Sequence, residues 1–131
     1  MIKIVNSEQN ANCITHSGTM HADEVFATAF LELYIKDINL FRTNNIDETK
    51  VGKDTIIYDV GRGKFDHHQP DAQKRDNDII YCSFGLLWKE FGKDFVLLTK
   101  EEVYRTKLFG TGKPHANVDG MIGDYVAIAV S

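Results

Sequence analysis

The chain has 131 residues, 43% of them hydrophobic and 26% charged, with a formal net charge of −4. This length suits one domain with a real but modest core, and the composition is ordinary for a globular protein. The acidic balance argues against a large basic nucleic-acid surface; it leaves a phosphate substrate open, because bound divalent cations reverse the local field.

In chain order, Ile2–Val5 or Asn12–Thr15 supplies the first strand. The start, Met1–Val5 followed by a polar run, reads as too short and too polar for a signal peptide, and no apolar run approaches membrane-spanning length. His16-Ser17-Gly18-Thr19-Met20-His21 reads as a loop with Gly18 as its flexible point. A helix follows from about Ala22 to Lys36, with Val25, Phe26, Ala29, Phe30 and Leu33 at helical spacing as the expected apolar face. Asp23 and Glu24 stand in its first turn, where negative charge complements the helix dipole. Ile38–Phe41 is a second strand, and Thr55–Val60 is the clearest one, β-branched and nearly continuous, as a buried parallel strand should be. Gly61-Arg62-Gly63 turns the chain towards Asp66-His67-His68, and Gln69–Asp78 reads as a mobile polar loop. A second helix over Ser83–Phe91 puts Phe84, Leu87, Trp88 and Phe91 on one face, as core rather than as a base-stacking platform. Strands alternating with helices predict an α/β fold, a parallel sheet of the doubly wound kind with flanking helices.

Further on, Lys100-Glu101-Glu102 reads as a solvated helix face, Thr111–His115 breaks structure with His115 exposed, and Tyr125–Val130 is an apolar strand-like run. Ending on a strand makes the domain look cut short, and the apolar run would be covered most easily by a second copy of the chain. The expected division is an α/β metal-binding domain over 1–102 and a divergent segment over 103–131. Cys13 and Cys82 belong to no Cys-x-x-Cys pair. They read as small buried residues in a reduced, cytoplasmic protein.

Four of the five histidines fall into two tight clusters, His16 with His21 beside Asp23, and His67-His68 beside Asp66, and Asp59 ends the best strand between them. In open parallel sheets, sites form outside the carboxyl ends of strands, and all three segments are expected there. Imidazole mixed with carboxylate suits Mn²⁺, Zn²⁺, Fe²⁺ or Co²⁺, and the absence of cysteine from both clusters argues against a structural zinc site. Asp59 is the natural carboxylate to bridge two ions about 3.5–4 Å apart, an arrangement that clamps a phosphoryl group and activates water. Taken singly, each residue has a bland alternative: Asp23 as a helix cap, Asp59 as a turn former, the paired histidines as exposed side chains. Taken together at one sheet edge, they favour a metal site. Arg62, Lys64 and Arg75 flank the second cluster as candidate phosphate contacts, with solvated loop charge as the alternative.

The segments Thr15–Val25, Tyr58-Asp59-Val60-Gly61 and Lys64–Gln69 resemble the melanocyte proliferating gene (MYG) family, a branch of the DHH phosphoesterase superfamily. Ser83–Trp88 fits the family's next helix, and the resemblance covers roughly residues 12–95. It implies a parallel α/β core with a binuclear centre, usually two Mn²⁺, in a metal-dependent phosphoester hydrolase. The expected substrate is single-stranded RNA or a phosphate-containing small molecule, and the activity is exonuclease-like; the alternative is a truncated, catalytically impaired metal-binding domain or an interaction module. By this resemblance His16 and His21 hold one ion, Asp23 and His67 the other, and Asp59 bridges. His68 contacts the phosphate while Asp66 orients the pair. The family's downstream Asp-x-x-Asp-Asn-Gly stretch is not found, and Asp119 is its nearest substitute. Residues 112–120 resemble instead the C-terminal part of alkaline-phosphatase-like enzymes.

Overall fold

The computed structural model of the chain describes residues 1–92. The expectations for Lys100-Glu101-Glu102, His115, Asp119, Tyr125–Val130 and the segment 103–131 lie outside the described residues. Four strands form one parallel sheet: β1 (Ile2–Val5), β2 (Cys13–Thr15), β3 (Ile38–Arg42) and β4 (Ile56–Ile57), in the order β1-β3-β2-β4. Both candidates for the first strand are therefore strands. Two helices accompany the sheet, α1 (Ala22–Ile35) and α2 (Ser83–Phe91), and they pack against each other. Among the described residues, no helix is long and apolar enough to cross a membrane.

The topology places the site. From β2 the chain runs through α1 to β3 on one side, then crosses back to β4 on the other. β2 and β4 are parallel neighbours, and the carboxyl ends of strands are where α/β sheets build sites.

The core is made by Cys13, Ala27, Phe30, Leu31, Ile38, Leu40, Tyr58, Phe84 and Leu87, all buried. Phe30 meets the rings of Phe84 and Trp88 edge-on at 6.0 and 5.6 Å, so the aromatic face of α2 is core, as its spacing implied. The buried face of α1 differs from the expected one. Asp23, Glu24, Ala27, Thr28, Phe30 and Leu31 point inward. Val25, Phe26 and Leu33 are substantially exposed, though Phe26 still meets the Phe84 ring at 6.3 Å. Two apolar stripes overlap on this helix, and periodicity cannot choose between them. The choice falls on the stripe that continues from Asp23 through Ala27 to Phe30 and Leu31, because the two carboxylates have partners inside.

Thr55–Val60 is shorter and less buried than expected. Only Ile56 and Ile57 form β4, half-buried beside β2. Tyr58 extends the line by donating its N–H to Ile14 and bridging to Phe65. The segment expected to be mobile is built into a small antiparallel turn. Lys74 bridges Ile80, the Arg75 N–H bonds the Ile79 carbonyl at 2.8 Å, and the Arg75 guanidinium lies 4.1 Å from the Tyr81 ring centre.

Candidate metal centre

The first cluster begins where β2 ends. His16 follows Thr15, and Arg42 of the neighbouring strand braces the loop by donating to the carbonyls of His16 (3.2 Å) and Gly18 (2.8 Å). Gly18 takes a φ of +94°, a conformation open to glycine, and turns the chain back towards α1. His21 is the residue before the first helical turn, and its N–H donates to Glu24 Oε1 at 2.5 Å. This is one half of a capping box. The His21 imidazole itself is 69% exposed, with its ring centre 5.4 Å from that of His16.

The second cluster grows from the end of β4. Asp59 adopts a φ of 57°, which aspartate tolerates better than most residues, and its N–H bonds Phe65 at 3.0 Å. Asp66 closes the turn: Oδ2 accepts from the Arg62 N–H (2.7 Å), and Oδ1 accepts from the His68 N–H (3.0 Å) while facing the His68 ring nitrogen at 2.8 Å. Asp66 thus stands behind His68 and holds its ring. His67 and His68 lie with ring centres 4.1 Å apart.

Asp59 joins the clusters. Its Oδ2 faces His16 Nε2 at 3.6 Å, and its Oδ1 faces the Nδ1 atoms of His67 and His68 at 3.5 and 3.4 Å. Asp23 reaches the same place from α1, with Oδ2 3.5 Å from His67 Nδ1. Asp23 also serves α2, whose first N–H groups, Ser83 and Phe84, donate to its two oxygens at 2.8 and 2.7 Å. A carboxylate there satisfies orphan donors and favours the helix dipole.

The electrostatics follow from burial. Burial pushes the Asp59 carboxyl up to about 6, and the Asp23 charge adds to the push against His68, Ser83 and His16. Burial also lowers His67 from the usual imidazole range; His68 adds to the effect, while Asp23 and Asp66 oppose it. Burial would raise Asp66, but the N–H groups of His68 and Arg62 and the His68 ring outweigh it and hold the carboxyl below its ordinary value.

Of the predicted site residues, His16, Asp23, Asp59, Asp66, His67 and His68 converge, with His21 at the rim. The three cations are differently placed. Lys64 pairs with Glu90 at 2.7 Å, Arg75 is held by Tyr81 and the Ile80 carbonyl, and Arg62 contributes its backbone N–H from an exposed turn. Glu24, expected beside Asp23 as first-turn charge, and Ser83, expected only as the start of the second helix, are not among the predicted ligands. Ser83 Oγ donates to Asp59 Oδ1 at 3.1 Å and lies 3.2 Å from His67 Nδ1. Its position at a helix start was the available signal. A groove of about 480 Å³ lies to one side, lined by Asn44, Ile46, Ile57, Gly61, Lys64 and Phe65 among others; it follows β4 and does not include the clustered histidines.

The donor set fits metal ions. In each of two groups, His16–His21–Glu24 and Asp59–Asp66–His67–His68, one ligand atom per residue lies within 4.8 Å of all the others. Two ligands bonded at about 2.1 Å to one ion stand roughly 3.0–3.5 Å apart at octahedral to tetrahedral angles. The separations are 2.9 Å for His16–Glu24, 3.6 Å for His16–Asp59 and 3.5 Å for both carboxylates facing His67. His16 Nδ1 lies 2.9 Å from the Ser17 carbonyl, an acceptor only, so Nδ1 is the donor in that contact and Nε2 faces the two carboxylates.

Comparison with known proteins bears on the family resemblance. The chain is 37% identical to a MYG1 protein of Dictyostelium discoideum over 93 residues, 63% of this chain and 28% of that protein. It is 33% identical to the MYG1 protein YER156C of Saccharomyces cerevisiae over 102 residues, 70% of this chain and 30% of that protein. The chain therefore spans less than a third of the length of these relatives. No solved structure matches it significantly. A family model named MYG1_exonuc matches residues 12–115, beyond the stretch that carries the three motifs. The chain belongs to that family, described as "Uncharacterised protein family (UPF0160)".

Proposed function

We propose that the chain carries the binuclear metal centre of a phosphoester hydrolase acting on single-stranded RNA or a small phosphate-containing molecule. The observation that carries this reading is the Asp59 carboxylate, buried, with one oxygen turned to each histidine cluster. A carboxylate so placed is suited to bridge two ions, with His16 and His21 on one side and Asp23 and His67 on the other. Mn²⁺ is the first choice for such mixed oxygen and nitrogen donors, with Zn²⁺, Co²⁺ and Fe²⁺ as alternatives. When bound, the ions would supply Lewis-acid polarisation of the phosphoryl group and activation of water.

The chain's own residues do the rest. His68 is 60% exposed and is held by Asp66 through Nδ1, leaving Nε2 free to meet a phosphate oxygen. Arg62 is an exposed cation at the turn that carries Asp66, suited to a second phosphate contact. The family model's name points to exonuclease chemistry, and the buried Cys13 and Cys82, which are not joined in a disulfide, suit a reducing, cytoplasmic setting.

A second reading is that these residues by themselves form a metal-binding domain with little turnover; the chain spans 28% of the Dictyostelium relative. Elemental mass spectrometry on untagged protein dialysed against Mn²⁺ tests both. Two ions per chain with hydrolysis of single-stranded RNA or pyrophosphate supports the enzyme. Metal without turnover supports the second reading, and folded protein without metal rejects both.

A further inference from the structure

Glu24 is fully buried, and only one of its oxygens has a structural task. Oε1 accepts the His21 N–H. Oε2 is one of two buried side-chain polar atoms without a hydrogen-bond partner among the described residues, the other being Thr15 Oγ1. A capping role accounts for Oε1 and leaves Oε2 unexplained. A cap at a helix start is ordinarily satisfied from the surface, whereas an ionised carboxylate buried with a bare oxygen is costly unless a cation meets it. The side chain is also aimed: Oε1 lies 2.9 Å from His16 Nε2 and 3.9 Å from His21 Nδ1. Neighbouring Asp23 has both oxygens on the N–H groups of α2. The two adjacent carboxylates thus divide their work, one towards α2 and His67, the other towards His16.

We propose that Glu24 is a metal ligand, the third protein donor with His16 and His21 to the ion on that side of Asp59. This rests on the two-metal reading above and adds to it a residue that completes the first half-site. With Asp59 Oδ2 as the fourth donor, the half-site holds two imidazoles and two carboxylates, a set that charge-compensates a divalent cation.

The test is titration of the metal-free chain with Mn²⁺ by calorimetry, with thermal melting in chelator as a second readout. Glu24→Gln keeps an acceptor for the His21 N–H, since glutamine also serves in a capping box. The variant is expected to lose one of two Mn²⁺ sites or weaken it by at least about tenfold. It should melt at or above the wild type without metal, because a buried charge is gone. Wild-type Mn²⁺ stoichiometry and affinity in Glu24→Gln would make Glu24 a cap only and overturn the proposal, while the two-metal reading stands. A wild-type chain that binds no Mn²⁺ overturns both. Should Glu24→Gln fail to fold, Glu24→Asp keeps the charge and draws the carboxylate back by one methylene. Weakened binding there supports the assignment, and undiminished binding overturns it.

Discussion

Asp59 combines a left-handed backbone, φ 57°, with a carboxyl pushed up to about 6, chiefly by burial. Strain and a raised pKa in one buried residue at a strand end are characteristic of functional positions. The raised value has a sign for stability. From the unfolded value of 3.8 to about 6, the folded metal-free chain binds more protons at Asp59 than the unfolded chain does. Its contribution to stability is therefore present at low pH and lost as pH rises through that window. Asp59→Asn removes the titrating group, and asparagine tolerates the same backbone conformation. The variant should keep its fold, lose this part of the pH dependence, and bind at most one ion in place of two. Chemical denaturation across the window, with elemental analysis of both proteins, checks this; an unchanged metal count would remove Asp59 from the bridging role.

At the scale of elements, α1 is the piece whose rotation matters. Its inward face carries Asp23 and Glu24 in the first turn and Ala27, Phe30 and Leu31 behind them, so packing aims the carboxylates. Leu31 is fully buried in the core. Leu31→Ala should cost about 2–5 kcal/mol in denaturant unfolding, through lost burial and the cavity left behind. Substituting Leu33, which is 65% exposed, should change stability by less than about 0.5 kcal/mol. Equal costs at the two positions would mean that the helix is turned the other way. The spacing of apolar residues announced the helix almost to its ends, Ala22–Ile35. It did not announce the rotation, because periodicity counts apolar side chains and the inward face here is partly acidic.

For the molecule as a whole, 19 acidic residues against 15 lysines and arginines leave an acidic protein around an acidic centre. On the proposed two-metal reading, phosphate would be repelled from such a centre until cations occupied it, so metal would control both stability and substrate affinity. An ion that binds only the folded chain stabilises it by about 2.7 kcal/mol at a hundred times its dissociation constant. Mn²⁺ should therefore raise the melting temperature by on the order of 10 °C, with EDTA reversing the rise. A melting curve indifferent to both would place the histidines outside any metal role.

Chain order and residue type sufficed to announce the alternating strands and helices, the two histidine clusters and Asp59 at a strand end, because each is a local pattern of a few residues. The family was legible for the same reason, in three short motifs. Which clusters meet is a different matter. Glu24 and His16 are neighbours because β2 and α1 fold back on each other around Gly18, and Ser83 reaches Asp59 because Asp23 holds the start of α2. The short, half-buried β4 also follows from its place in the strand order rather than from its composition. The pairings of Ser83 with Asp59 and Asp23 span 24 and 60 residues and are set by packing and by the need of buried charges for partners. Glu24 and His16 lie within one short motif, and there the turn at Gly18 and the rotation of α1 decide that the two side chains face each other.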